Sequence, residues 1–302
     1  MKTRSLVSVL TIAAATVAAL AGCSSSSSAG SDGDAIRVVA STNVYGDIAE
    51  TIGGDAVHVT SLMSDPAQDP HSFEASAQNQ LAVSKARVVI ENGGGYDEFM
   101  KTLVKGAKNA DATVLDVVDL SGKNATAEGF NEHVWYDFPT IQKFASALTS
   151  ALADAEPAKK ATFEKNADAF LKRLSGLEDA TAKLKASYAG DGVAITEPVP
   201  LYLLDAAGLV NKTPEAFSAA IEEENDVSPV VLKDTLALFS GHEVKLLAYN
   251  EQTTGAQTER VLAAAKQAGI PVVPVTETLP SGTHYLDWMQ SNVDAIGKAL
   301  AK

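Results

Sequence analysis

Cysteine is almost absent from this sequence, which has one, Cys23, among 302 residues. A chain with a single cysteine forms no internal disulfide and offers no cluster of thiolates. Histidine is scarce as well, with five residues. The groups available for metal binding or catalysis are therefore a few histidines and the carboxylates.

Positive charge is also in short supply. The sequence has 24 Lys and Arg against 38 Asp and Glu, which gives a formal charge of −14. Nucleic-acid binding requires clustered Lys and Arg, so we expect no nucleic-acid partner. An acidic chain is compatible with a domain that attracts cations, although net charge alone does not establish a cation site.

The apolar run at residues 6–20 is too short for a membrane-spanning helix, which needs about 20 apolar residues. Because it follows Lys2 and Arg4, it instead suits the core of a secretory signal peptide. It therefore predicts export.

The end of this run, Leu20-Ala21-Gly22-Cys23, resembles a bacterial lipobox, in which the cysteine is lipidated. We predict a lipoprotein signal peptide at 1–22 and a lipid on Cys23. The Ser/Gly-rich stretch at 23–35 cannot bury a core and predicts a flexible tether. The protein is then expected to be held by lipid on the outer face of the cell membrane.

From residue 36 onward, short β-rich runs alternate with longer helical patterns, which is typical of βα units around a parallel sheet. The pattern predicts an α/β fold with two lobes, each a parallel-rich sheet flanked by helices, at 36–155 and 191–302. The strands are predicted at 36–40, 57–63, 87–90, 113–117, 192–196, 245–249 and 271–275. The helices are predicted at 44–52, 77–85, 96–106, 139–153, 200–207, 229–240, 255–268 and 283–301.

The segment at 156–190 differs from both lobes. Phe163, Phe170, Leu177 and Leu184 recur at heptad spacing with charged residues between them, which predicts one long amphipathic helix over 157–188. Gly176 costs such a helix about 1 kcal/mol relative to alanine, so two helices in a bundle are the alternative. A long helix joining two lobes predicts a cleft between them, where small ligands usually bind.

Four residues combine a metal-ligating side chain with a predicted loop or strand-end position: His71, His133, Glu197 and His284. Glu197 directly follows the strand predicted at 192–196, and ligands of open parallel sheets bind outside the carboxyl ends of the strands. Two imidazoles and a carboxylate suit a divalent transition metal. Taken singly, each is weak evidence, since a lone histidine in a loop is more often a surface residue.

The spacing of these residues carries a family resemblance. The relevant segments are Asp69-Pro70-His71-Ser72-Phe73-Glu74, Asn92-Gly93-Gly94-Gly95-Tyr96, His133-Val134-Trp135, Thr196-Glu197-Pro198-Val199-Pro200-Leu201-Tyr202 and the closing segment 280–292. Together they resemble the metal-binding receptors of zinc and manganese ABC importers, over a length from about residue 36 to the C-terminus.

The resemblance implies that His71, His133 and Glu197 are metal ligands. At the fourth place, where the family has aspartate, alignment on Tyr285 and Asn292 puts Thr283, a poor ligand for a transition metal. His284 beside it is the expected substitute. Asp287 and water are the alternatives.

The same resemblance implies a cargo of Zn²⁺ or Mn²⁺. More imidazole favours Zn²⁺ and more carboxylate favours Mn²⁺, so ligation by His284 would point to zinc. Asp69 or Glu74 is expected to orient His71, although Glu74 is equally suited to cap the helix that follows. Phe73 and Trp135 are expected to pack beside the site.

The function implied is the extracytoplasmic solute-binding component of an ABC transporter, a monomer that delivers its metal to a permease driven by an ATPase. It is expected not to be an enzyme. One alternative is a metal-dependent hydrolase with a His₂-Glu zinc site, but the sequence has no HExxH motif. The other is a surface adhesin, for which the sequence has no specific feature. A receptor for an iron chelate or cobalamin would need an arginine-lined or aromatic cleft, and arginine is scarce.

Overall fold

The computed structural model describes residues 35–65 and 73–302. The signal peptide predicted at 1–22 and nearly all of the tether predicted at 23–35, Cys23 included, lie outside these ranges. Within them, no helix is both long and apolar enough to cross a membrane.

The first lobe is built on a parallel sheet with the order β2-β1-β3-β4. Its strands are β1 (Ile36–Thr42), β2 (Val57–Met63), β3 (Val88–Glu91) and β4 (Thr113–Asp116). Its helices are α1 (Asn43–Gly53), α2 (Ala77–Lys85), α3 (Glu98–Ala107), α4 (Val117–Ser121) and α5 (Phe138–Ala155). Strand β3 is buried along its whole length, as expected for a central strand of a covered parallel sheet.

A continuous helix, α6 (Lys160–Tyr188), leads to the second lobe. Its buried residues include Phe163, Phe170 and Leu177 of the predicted heptad stripe, so the prediction of one long helix is confirmed. Gly176 lies on the exposed side, where a Cβ would meet no atom within 4 Å.

The second lobe repeats the parallel architecture with the order β6-β5-β7-β8. Its strands are β5 (Gly192–Ile195), β6 (Val210–Asn211), β7 (Leu247–Asn250) and β8 (Val272–Val275). Its helices are α7 (Leu201–Ala206), α8 (Glu215–Glu222), α9 (Pro229–Ser240), α10 (Ala256–Gln267) and α11 (Tyr285–Leu300).

One hydrophobic core runs through both lobes. It joins Val38 of β1, Phe170 of α6, Ile195 of β5 and Met289 of α11, all at most 2% exposed. Because α11 packs against α6 and α1, the C-terminal helix of the second lobe also contacts the first. The lobes are therefore not independent bodies joined by a bare linker.

The two helix-flanked parallel sheets and the long connecting helix confirm the predicted fold class. The sequence patterns missed α4, α8 and the two-residue strand β6. The lobe boundaries at 36–155, 156–190 and 191–302 stay predictions.

Candidate metal site

Three neighbouring parallel strands of the second sheet place polar side chains at one edge. Glu197 comes two residues after β5, Asn250 is the last residue of β7, and Glu277 comes two residues after β8. Because β5, β7 and β8 are adjacent and parallel, their carboxyl ends lie at the same edge. This edge is where open α/β sheets bind ligands.

The two carboxylates at this edge are buried and share a neighbour. Glu197 is 3% exposed and Glu277 is 7% exposed. The Asn250 amide donates to Glu277 Oε1 at 2.9 Å and also hydrogen-bonds to Glu197. No group in residues 35–65 and 73–302 hydrogen-bonds to Glu197 Oε2.

Burial raises the pKa of Glu197 to about 8, and repulsion from Glu222 and Glu277 adds to the shift. Carboxylates buried together disfavour each other's ionised form, and a cation placed among them reverses that effect. The electrostatics of this edge therefore favour a bound cation.

His133 is fully buried, and its hydrogen bonds determine which ring nitrogen can bind a metal. The Asn131 side-chain amide donates to the carbonyl of Pro198 at 3.0 Å, so its oxygen faces the His133 ring. His133 Nδ1 lies 2.7 Å from that oxygen and must carry the proton. In the neutral ring the lone pair of Nε2 is then available, and no hydrogen-bond donor to Nε2 occurs in the part of the chain that the structure describes. This tautomer can ligate a metal through Nε2.

Aromatic rings surround His133 and connect it to the carboxylates of the second lobe. The ring of Trp135 packs at a centroid distance of 5.0 Å and that of Tyr96 at 5.9 Å. The Tyr96 hydroxyl donates to Glu277 Oε2 at 3.4 Å. His133 and Glu277 therefore face a common neighbour, although they come from different lobes.

A third carboxylate from the second lobe completes this group. Glu222, the last residue of α8, has its Oε1 3.3 Å from His133 Nε2. Together with Glu197 and Glu277 it lines a cavity of about 180 Å³. It also lines a wider cleft of about 1120 Å³ that reaches Asn131 and Pro198.

The fourth predicted ligand, His284, lies elsewhere. Its Nδ1 is 2.6 Å from Asp47 Oδ1, and the contact with this carboxylate raises the pKa of the imidazole. It lines a separate cavity of about 530 Å³ beside Asp47 and Glu50. The structure does not bring His284 to the cavity that contains Glu197.

The two protein alternatives to His284 also have other partners. The Thr283 hydroxyl donates to the carbonyl of Pro280 at 2.6 Å. Asp287 Oδ1 lies 2.5 Å from an Arg173 guanidinium nitrogen. Both side chains are exposed, and each is bound to a partner outside the cavity that contains Glu197.

The first motif is only partly described. His71 and Asp69 lie outside the described residues. Glu74 is exposed and does not cap α2, because Ser76 does so through a capping box with Asn79. Phe73 packs on Phe99, with ring centroids 4.6 Å apart.

Sequence reasoning missed Glu222 and Glu277. Glu277 carries the same signal that selected Glu197, since both follow a parallel strand by two residues. Glu222 had no such signal, because its helix was not predicted. In residues 35–65 and 73–302, no three His, Cys, Asp or Glu side chains already have a geometry that would hold a metal ion.

Comparison with known proteins gives a family match over most of the chain. The model of the family described as "ZnuA: Zinc-uptake complex component A periplasmic" matches residues 38–299. Three relatives cover the chain almost fully. They are a manganese ABC transporter substrate-binding lipoprotein of Streptococcus gordonii (27% identical, 94% of this chain and 95% of the relative), a metal ABC transporter substrate-binding lipoprotein of Lactococcus lactis (26%, 96% and 96%), and an iron ABC transporter substrate-binding lipoprotein of Streptococcus pyogenes (27%, 94% and 94%).

Solved structures share the fold. A crystal structure of ZnuA is 20% identical, has a TM-score of 0.69 and covers 88% of this chain and 98% of its own. An Mn-bound periplasmic metal binding protein from Candidatus Liberibacter asiaticus is 19% identical, has a TM-score of 0.68 and covers 88% and 99%. At these identities the likeness concerns the arrangement of helices and strands.

Proposed function

The chain belongs to the zinc-uptake complex component A family, and from this premise we propose that it is the extracytoplasmic substrate-binding receptor of an ABC importer for a divalent transition metal. Its partners are then the permease and the ATPase of that importer. The relatives are named as substrate-binding lipoproteins and not as enzymes, so the hydrolase alternative is not favoured. Nothing among them favours an adhesin over a transport receptor.

One observation carries the proposal: Nε2 of fully buried His133 lies 3.3 Å from Glu222, which lines a cavity together with the buried carboxylates Glu197 and Glu277 of the other lobe. Imidazole and carboxylate together suit a divalent transition metal. The acidic edge supplies charge that one such ion would balance.

We propose His133, Glu197 and Glu277 as ligands, with His71 as the fourth. Glu277 replaces His284 in this set, because Glu277 shares Asn250 with Glu197 while His284 is paired with Asp47. The assignment of His71 rests on the Asp-Pro-His-x-x-Glu motif, with Asp69 expected to orient the ring.

We propose Mn²⁺ ahead of Zn²⁺ as the cargo. Two imidazoles and two carboxylates form a harder ligand set than three imidazoles and one carboxylate. One of the relatives is named for iron and another for manganese, so Fe²⁺ belongs in the same comparison.

The lipid anchor on Cys23 and a monomeric state complete the proposal. The anchor is supported by the Leu-Ala-Gly-Cys sequence and by the naming of the relatives as lipoproteins. Replacement C23A is expected to release the protein from the membrane fraction. Retention of the variant on membranes would contradict the anchor.

The experiment that tests the metal site combines elemental analysis with titration. Protein purified without added metal is analysed for Mn, Zn and Fe, and then the metal-free wild type, H133A and H284A are titrated with Mn²⁺ and Zn²⁺. We expect H133A to lose at least about a hundredfold in affinity for both ions, and H284A to match the wild type. Wild-type affinity in H133A would overturn the proposed site, and loss in H284A would restore His284 as a ligand.

A further inference from the structure

We propose that Glu222 is an additional ligand of the cargo ion, supplied by α8 of the second lobe, and that it directs the site toward Mn²⁺ over Zn²⁺. This inference rests on the proposed function, since it concerns the same cavity. It adds a third carboxylate to those of Glu197 and Glu277.

The first argument is the separation of the donor atoms. Glu222 Oε1 lies 3.3 Å from His133 Nε2, and in the neutral ring with its proton on Nδ1 both atoms present lone pairs to the space between them. Two ligand atoms that each lie about 2.0–2.2 Å from one ion at angles of 90–110° are separated by about 2.8–3.6 Å. The observed distance therefore fits two atoms that share an ion.

The second argument is the position of Glu222 on its helix. It is the last residue of α8. The C-terminal end of a helix carries partial negative charge, so carboxylates are unfavourable there and a cation is favourable. The buried residues Phe217 and Ile221 hold this end of α8 in place.

The third argument is the location of Glu222 between two spaces. It lines both the cavity of about 180 Å³ that contains Glu197 and the cleft of about 1120 Å³. The wider cleft is itself acidic, with Glu128 and Glu215 among its lining residues. An ion entering through this cleft meets Glu222, whose Oε1 lies 3.3 Å from His133 Nε2.

The effect on metal choice follows from ligand chemistry. A third carboxylate raises both the negative charge and the number of oxygen donors. Oxygen ligands suit Mn²⁺, whereas Zn²⁺ is almost always satisfied by four ligands in a tetrahedron. Removal of the Glu222 charge should therefore weaken Mn²⁺ binding more than Zn²⁺ binding.

The test uses E222Q and E222A, with E223Q as the matched control, because Glu223 is the exposed next residue and its loss changes the net charge equally. Dissociation constants for Mn²⁺ and Zn²⁺ are measured by competition with a chromophoric chelator at low and high salt. We expect E222Q and E222A to weaken Mn²⁺ binding by about tenfold or more and Zn²⁺ binding clearly less. E223Q is expected to stay within about twofold of the wild type at both salt concentrations, as for a screened surface charge.

A crystal structure of the Mn²⁺-loaded wild type, with the ion located by anomalous scattering, is the second readout. Glu222 within bonding distance of the ion supports the inference even if E222A proves too unstable to titrate. Unchanged or increased Mn²⁺ affinity in E222Q, equal salt-sensitive losses in E222Q and E223Q, or Glu222 turned away from the ion would each overturn it. H133A distinguishes failure of the proposed function from failure of this inference. If H133A still binds both ions, the proposed function has failed. If H133A loses binding but E222Q binds Mn²⁺ like the wild type, this inference alone has failed.

Discussion

Each lobe groups carboxylates near the carboxyl ends of its parallel strands, and the two groups differ in the hydrogen bonds that their oxygens accept. In the first lobe the group consists of the buried Glu91 and Asp97 and the half-buried Asp116, which we call the first-lobe cluster. In the second lobe it consists of Glu197 and Glu277, which we call the second-lobe cluster. Burial raises the pKa of Glu91 to about 7 and that of Glu197 to about 8.

The first-lobe cluster is held mainly by backbone donors. Asp97 accepts the backbone N–H of Asn92 at 2.7 Å and that of Gly93 at 2.9 Å. Asp116 accepts the backbone N–H of Asp119 at 2.9 Å and so caps α4. These carboxylates shape the loops after β3 and β4.

The second-lobe cluster is held by side chains and keeps acceptor capacity toward a cavity. Asn250 donates to both of its carboxylates, while Glu197 Oε2 has no hydrogen-bond partner in the described ranges. A raised pKa is common to both clusters, and so is a buried carboxylate oxygen without a hydrogen-bond partner in the described ranges, since Oε2 of Glu91 shares this property with Oε2 of Glu197. Neither property therefore distinguishes the clusters. What distinguishes them is that Asp97 and Asp116 accept backbone N–H groups, whereas Glu197 and Glu277 line a cavity together with Glu222, which contacts the His133 imidazole.

The largest effect should follow a change in the second-lobe cluster. We expect E277Q to lower Mn²⁺ affinity by about a hundredfold, because loss of a charged ligand removes part of the first coordination sphere. Calorimetric titration of the metal-free protein measures it. The matched control is D116N in the first-lobe cluster, which should bind Mn²⁺ like the wild type. Equal affinity in E277Q and D116N would erase the proposed difference between the clusters.

The opposite result is expected for the first-lobe cluster. D97N replaces a carboxylate that accepts two backbone N–H groups, so we expect it to lower the free energy of unfolding of the metal-free protein by about 1–3 kcal/mol. Urea denaturation monitored by circular dichroism measures this loss. Its Mn²⁺ affinity should stay near that of the wild type, and a large loss of affinity with unchanged stability would show that Asp97 serves the metal.

The same comparison separates what sequence reasoning could find from what it missed. Glu197 was found because Thr196-Glu197-Pro198 directly follows an obvious strand. Thr276-Glu277-Thr278 follows β8 in the same way, but the resemblance anchored on Tyr285 directed attention to His284. Placing His284 beside Asp47 requires knowing how α11 lies against α1, which no local pattern reports.

Glu222 was beyond sequence reasoning for another reason. Its helix α8 has only eight residues, and the short pattern of Phe217 and Ile221 was not recognised as helical. Even a correct helix would not have indicated contact with His133 across the cleft. Periodicity predicts elements and their buried faces, whereas contacts between lobes depend on tertiary packing.

A smaller effect concerns the pH dependence of stability through Glu91. Burial, and then repulsion from Asp97 and Asp116, raises its pKa from 4.5 to about 7, so the folded state favours the protonated form. This contribution is fully present below pH 4.5 and is lost as the pH rises through 7, by on the order of 1 kcal/mol after allowance for solvent screening. Chemical denaturation at pH 4.5 and pH 8 measures how far the free energy of unfolding falls between these two pH values. The fall should be smaller in E91Q than in the wild type by this amount. An identical decline in wild type and E91Q would contradict the assignment.

The smallest change is expected in the relative position of the lobes on metal binding. Asn43 and Leu279 bond reciprocally across the lobes at 2.9 Å in both directions, and the Tyr285 hydroxyl donates to the carbonyl of Trp135 at 2.7 Å. Because these bonds and the continuous core resist separation, small-angle scattering of metal-free and Mn²⁺-loaded protein should give nearly equal radii of gyration. G176A, which stabilises α6 by up to about 1 kcal/mol without new contacts, should leave both the scattering and the affinity unchanged. A marked compaction of the wild type on loading, reduced in G176A, would mean that α6 bends during binding and that the two clusters approach each other.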